Sequence, residues 1–356
     1  MTLTPQKLVL RSILAGVVLL GVMAACVWIG SQDVSLADVL KGPGGEGSPN
    51  IQYIIFMQER LPRICLAAIV GAALACAGVV FQAILRNPLA DPYILGVSSG
   101  AGLGSIVAVL FSGTVIYGRI AGHFGWIAEA TGMSSLMIMA FVGAMLTVWL
   151  VWVIGRVTGR THVTGLLLAG VVVNAFFSAL IMFLLSIARA RQLQSTMFWL
   201  MGHMMLPENP LMVWFSGGVV LLGILCLLML GNSLNILSFG SDDAQSLGVP
   251  VKRTCFLAFA CAALITSVAV SLSGLIGFVG LIVPHAVRLV VGPDHRLLIP
   301  LSAIAGAAFL VVADTIARVV IAPAILPVGV ITALVGGPFF LILLIRYTKN
   351  IQWGST

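Results

Sequence analysis

The sequence predicts an all-α polytopic membrane protein of about ten transmembrane helices. Of its 356 residues, 60% are hydrophobic and only 8% are charged, whereas a soluble domain carries roughly a quarter. Mean hydropathy is +1.15. Apolar runs long enough to cross about 30 Å of hydrocarbon recur along the whole chain. They read as one transmembrane domain, 1–356, with a polar loop at 234–251 inside it.

The first run, 13–29, follows Lys7 and Arg11. Met23-Ala24-Ala25-Cys26 faintly resembles a lipoprotein cleavage site, but Met stands where Leu is usual and polar sequence begins only at Ser31, so the run is read as an uncleaved span. The second run, 64–83, ends in Arg86-Asn87-Pro88-Leu89-Ala90-Asp91-Pro92, where two prolines forbid a continuing helix and Asn87 and Asp91 can tie down free backbone groups. The third run is 93–111. Gly71, Gly78, Gly96, Gly100, Gly102 and Gly104, in and around these two spans, read as sites of close helix approach.

Runs at 136–154 and 163–187 follow. The second of these carries Asn174 and Ser178 four residues apart on one helix face, a polar stripe that meets either a neighbouring helix or a water-filled route. After 211–230, the runs 255–272 and 275–291 are separated only by Ser273-Gly274, the weakest boundary in the chain. The last two runs are 298–321 and 328–345. Asp314 lies deep in the first of these, with Arg318 at i+4, the favourable order for an ion pair. A proton relay or a mouth-lining role is the alternative reading of Asp314.

Between the sixth and seventh runs, Ser241-Asp242-Asp243-Ala244-Gln245-Ser246-Leu247-Gly248 reads as a short water-loving helix. Ser241 is the expected N-cap, Asp242 and Asp243 suit the positive end of the helix dipole, and Gly248 and Pro250 stop it. Its plain alternative is a solvated connector.

With ten spans both termini share one side. That side has eleven of the 18 basic residues and the other has seven: Lys41, Arg60, Arg63, Arg119, Arg189, Arg191 and Arg318. The positive-inside rule therefore places both termini, and the 241–248 helix, in the cytoplasm.

No catalytic constellation is present. The chain has no G-x-x-x-x-G-K-[ST], no H-E-x-x-H and no G-x-S-x-G, so it lacks a phosphate-binding loop of its own. The six Cys lie in or at the ends of apolar runs without C-x-x-C spacing, and the five His are scattered, so neither set suggests a metal site. No cofactor and no nucleic-acid partner are expected.

The segment RLPRICLAAIVGAALACAGVVFQAILRNPLADPYILGVSSGAGLG (60–104) resembles the FecCD family, the BtuC-like membrane subunits of ABC importers for iron–siderophore complexes, haem and cobalamin. So do LLLAGVVVNA (166–175), FWLMG (198–202), LNILSFGSDDAQSLGVPV (234–251), SGLIGFVGLIVPHAVRLVVGPDHR (273–296), ADTIAR (313–318) and LPVGVITALVGGPFF (326–340), all in family order. The resemblance runs from about residue 59 to 345.

It implies a homodimeric permease of the inner (cytoplasmic) membrane, surrounded by lipid, with its path at the dimer axis. Two ATPase subunits, holding ATP and Mg²⁺, would bind at the cytoplasmic face, and a periplasmic or extracellular binding protein would deliver cargo outside. By matching motif, Ser241 to Gly248 would contact the ATPase, and Arg60, Arg63 and Arg318 would pair with carboxylates on the binding protein. Asn174 and Ser178 would lie near the path. One departure stands at Ile325, where members commonly carry Glu. The blocks do not separate the cargoes; an iron chelate, haem or siderophore, is the expectation and cobalamin the alternative.

Two rivals come from other classes. An ion-coupled secondary transporter would need ionisable residues at mid-membrane, which are nearly absent here. An assembly or scaffold protein would have no use for a capped polar helix inside and arginines outside.

Overall fold

The computed structural model describes residues 5–45, 48–112, 125–157, 162–204 and 209–353, with 114, 118 and 122 as single positions. Arg119 and Arg160 lie outside the described residues. Every apolar run forms a helix: α1 (Pro5–Trp28), α2 (Leu61–Ile84), α3 (Val97–Phe111), α4 (Ser135–Val157) and α5 (His162–Ser186) come first. A shorter α6 (Ala190–Leu200) precedes α7 (Leu211–Met229), and two short helices follow, α8 (Gly231–Leu237) and α9 (Ser241–Ser246). The chain closes with α10 (Val251–Ser273), α11 (Val279–Val291), α12 (His295–Val319) and α13 (Val328–Trp353). Among the described residues, seven helices are long and apolar enough to cross a membrane, and three shorter apolar ones accompany them.

Close packing of α2 at the centre explains the glycines. A methyl group at Gly71 would strike the Gly306 carbonyl on α12, and one at Gly78 would strike Gly280 on α11. Gly100 meets Gly143 in the same manner, joining α3 to α4. Small residues therefore set the helix spacing here.

The weak boundary after the seventh run is a real break, and it is longer than Ser273-Gly274. Gly274 and Phe278 both adopt positive φ, +67° and +70°, so α11 begins at Val279 rather than at Leu275. Its 13 residues span about 20 Å, short of the roughly 30 Å hydrocarbon core. Non-helical backbone at this depth must find partners inside the protein. The Ile276 N–H donates to the Tyr93 hydroxyl at 2.8 Å.

The turn after α2 forms as its composition predicts. Asn87 Oδ1 accepts the Leu89 N–H at 3.0 Å and Asp91 Oδ1 accepts the Tyr93 N–H at 2.8 Å.

Candidate functional site

Three places carry the candidate residues: the α8–α9 loop, a buried ion cluster at the opposite end of the bundle, and one face of α5.

Helix α9 is shorter than the sequence suggests, ending at Ser246, and its cap is Gly240 rather than Ser241. Gly240 has φ +144°, a conformation open to glycine, which lets the chain turn sharply so that Ser241 is already helical. Asp242 and Asp243 do occupy the first turn, exposed, beside the positive end of the dipole. At the other end Gly248 is left-handed, φ +82°, and the Val249 N–H reaches back to the Ala244 carbonyl at 3.0 Å. This is a Schellman stop, with Ala244 and Val249 buried beneath it. The result is a rigid polar knob with an apolar root.

Helix α8 fastens the knob to the start of α12. Asn235 Nδ2 donates to Asp294 Oδ1 at 2.7 Å, while Asn235 Oδ1 accepts the His295 N–H at 2.8 Å and meets His295 Nδ1 at 2.7 Å. Asp294 caps α12 through the Arg296 N–H and takes a fork from the Arg296 guanidinium at 2.7–3.2 Å. The bonds from Arg296, with Asn235 adding to them, hold the Asp294 carboxyl down to about 2. Asp294 before a helix is a recognisable cap in sequence, but its bond to a residue 59 positions earlier is not.

At the far end, Asp314 is fully buried on α12. Arg63 of α2 grips both its oxygens, with Nε at 3.0 and 3.1 Å and Nη2 at 2.9 Å. Arg318 Nε adds a bond at 3.1 Å from one turn on, so the expected i,i+4 pair forms inside a larger cluster. Arg318 also donates to Thr315 Oγ1 at 3.1 Å and to the Ile29 carbonyl at 3.4 Å. Arg60 donates to the carbonyls of Val27 (3.2 Å), Trp28 (2.9 Å) and Gln32. These arginines close the C-terminus of α1, where carbonyls lack helical partners and the dipole favours cations.

Arg60, Arg63 and Arg318, the residues expected to pair with carboxylates on a binding protein, are bonded internally in this chain. They are 5%, 6% and 9% exposed, and their guanidiniums point inward because the chain itself offers a carboxylate and unpaired helix-end carbonyls. The cluster gathers three arginines around Asp314, and the carboxylates of Asp33 and Glu59, both exposed, lie close enough to act on Arg60. Ile325, nearby in sequence, is an exposed apolar residue where the resembled family commonly has an acid.

Asn174 is half-buried and Ser178 exposed on α5. Val171 and Met182 on the same side are exposed, as are Val172, Phe176 and Phe183 on the other, so this chain leaves much of α5 uncovered.

Comparison with known proteins agrees with this architecture. Residues 16–346 match the FecCD transport family. The chain is 44% identical over 305 residues to the cobalamin import system permease protein BtuC of Halobacterium salinarum, covering 84% of this chain and 75% of that protein. It is 38% identical over 298 residues to the hemin transport system permease protein HmuU of Yersinia pestis, covering 83% and 84%. A solved inward-facing ABC transporter of metal-chelate type superimposes with a TM-score of 0.76 at 30% identity, covering 96% of this chain and all of the other.

Proposed function

This chain belongs to the FecCD transport family and is the membrane permease subunit of an ABC importer; on that premise we propose that it moves a metal chelate inward, driven by a separate ATPase. The observation that carries the reading is α9. Asp242, Asp243 and Gln245 are exposed on a helix stopped at both ends and rooted through Ala244. Such a knob passes on a push, whereas a flexible connector would absorb it.

In this reading Ser241 to Gly248 contact the ATPase in the cytoplasm, both termini lie on that side, and ATP and Mg²⁺ belong to the partner. The working unit is a homodimer with two ATPase subunits, and the uncovered face of α5 with Asn174 and Ser178 lies along the path at its axis. A binding protein docks at the outer rim. There the Arg60–Arg63–Asp314–Arg318 cluster, with Asp33 and Glu59 beside Arg60, acts as a field from below the surface rather than as free side chains. Cargo affinity in the permease is low, since a conducting route must also release what it binds.

Haem or an iron–siderophore complex is the first cargo reading. Cobalamin is the second, favoured by the 44% identity to a cobalamin permease. Purification from a cell expressing the whole operon-level assembly tests the subunit roles: an ATPase must co-purify. Uptake into vesicles, with haem, ferric siderophore or cobalamin each supplied on its binding protein, tests the cargo. Uptake of none of the three chelates would overturn the metal-chelate reading.

A further inference from the structure

Two outlets lead from α9 into the bundle. One is covalent, through Val249 and Pro250 into α10. The other runs backwards through Ser238, Phe239 and Gly240 to α8, and from α8 to α12 by close packing and by the hydrogen bonds of Asn235. Leu234 and Leu237 bury α8 on either side of Asn235, and Gly231 lies close enough to Arg296 for its missing side chain to matter. Asn235 is thus turned toward α12 and away from the surface that α9 presents.

Its amide is fully committed to that helix. The oxygen receives the His295 N–H and faces His295 Nδ1, which carries the proton in this arrangement, and the nitrogen reaches the Asp294 cap. Bonds to a charged acceptor are stronger than neutral ones and fix direction. Helix α12 then continues, past an internal Pro300, to Asp314, twenty residues on from Asp294 and about 30 Å away. There it grips Arg63 of α2 and, through Arg318, the end of α1.

We propose that Asn235 is a positioning residue for transport, the latch through which movement of α9 is delivered to α12 and so to the Arg63–Asp314–Arg318 cluster at the other end. Without the latch, α9 can still engage the ATPase, but its displacement is absorbed between α8 and α12. The inference rests on the coupling role proposed above for α9.

The assembled complex, reconstituted with its ATPase and binding protein, provides the test. Asn235→Ala should retain the ATPase and its basal hydrolysis. Stimulation of hydrolysis by loaded binding protein, and uptake, should each fall about tenfold. Asn235→Asp should behave like Asn235→Ala, because two carboxylates then face each other. Combining Asn235→Asp with Asp294→Asn should recover part of the coupling, since the amide–carboxylate bond is remade and Asn still caps a helix, while the Arg296 fork on residue 294 is lost.

Near-normal uptake by Asn235→Ala would overturn the latch, and so would failure of the exchanged pair to recover. Equal loss of basal and stimulated hydrolysis would make Asn235 a folding residue only. The double variant Asp242→Lys/Asp243→Lys serves as the reference. If it uncouples while Asn235→Ala does not, the latch fails and the coupling role of α9 stands. If neither uncouples, that coupling role fails too.

Discussion

Asp314 of α12 and Arg63 of α2, 251 positions apart in sequence, form a buried fork at 2.9–3.1 Å that joins two central helices. Arg318 shares the same carboxylate, so removing it strands two guanidiniums away from water. Asp314→Ala should therefore cost about 3–5 kcal/mol, read as a lower unfolding temperature of the detergent-solubilised protein. Replacing Arg63, Asp314 and Arg318 together by apolar residues of similar volume should recover most of that loss, because no charge then stays buried. Unchanged unfolding of Asp314→Ala would show that water reaches the cluster.

Reversing the α9 charge, with Asp242→Lys and Asp243→Lys together, should weaken ATPase association or uncouple hydrolysis from uptake. Gly248→Ala is the subtler probe. A methyl group there meets nothing within 4 Å, yet φ is +82°. The expected cost is about 1 kcal/mol of backbone strain. A partial coupling defect with normal expression is the expected outcome, and wild-type coupling in both variants would remove α9 from the ATPase interface.

At the α2–α12 crossing, Gly71 and Gly306 leave no room for any side chain. Gly306→Val should push the helices apart and destabilise the protein by about 1–3 kcal/mol. Gly218, where a methyl group meets nothing, serves as the control, and Gly218→Ala should be near neutral. Equal effects at the two positions would contradict the packing account.

Cysteines introduced singly at Asn174 and Ser178, in a background free of the six native cysteines, should react with a small water-soluble thiol reagent. Their reactivity should change when nucleotide is trapped on the ATPase. Protection in every state would assign this face of α5 to lipid or to a dry dimer contact.

Because Arg60, Arg63 and Arg318 are buried, any influence on a docking protein should be a field effect, screened within roughly 8–10 Å at physiological salt. Association of the binding protein should slow as salt rises. Arg60→Glu, Arg63→Glu and Arg318→Glu should each lower stability as well as association, since each breaks internal bonds. A charge reversal that slows association and leaves the unfolding temperature intact would restore these side chains to the surface.

Much of this protein is legible in its sequence. Hydrophobic run length alone locates the helices, because hydrocarbon leaves the backbone no partner but itself over about 20 residues. Run 64–83 became α2 over Leu61–Ile84, and run 298–321 became α12 over His295–Val319. The Asn87 and Asp91 turn bonds and the Gly248 stop were also readable, since each depends on neighbours within a few residues. What tertiary structure alone decided were the long-range pairings. The Asp314–Arg318 pair is legible at i,i+4, but only packing brings Arg63 to the same carboxylate and Arg60 to the carbonyls at the end of α1. Asn235 is an unremarked polar residue in a loop until folding sets it against Asp294 and His295. Local chemistry is written in the order of residues, whereas a hydrogen bond or ion pair between distant segments exists only once the helices between them have packed.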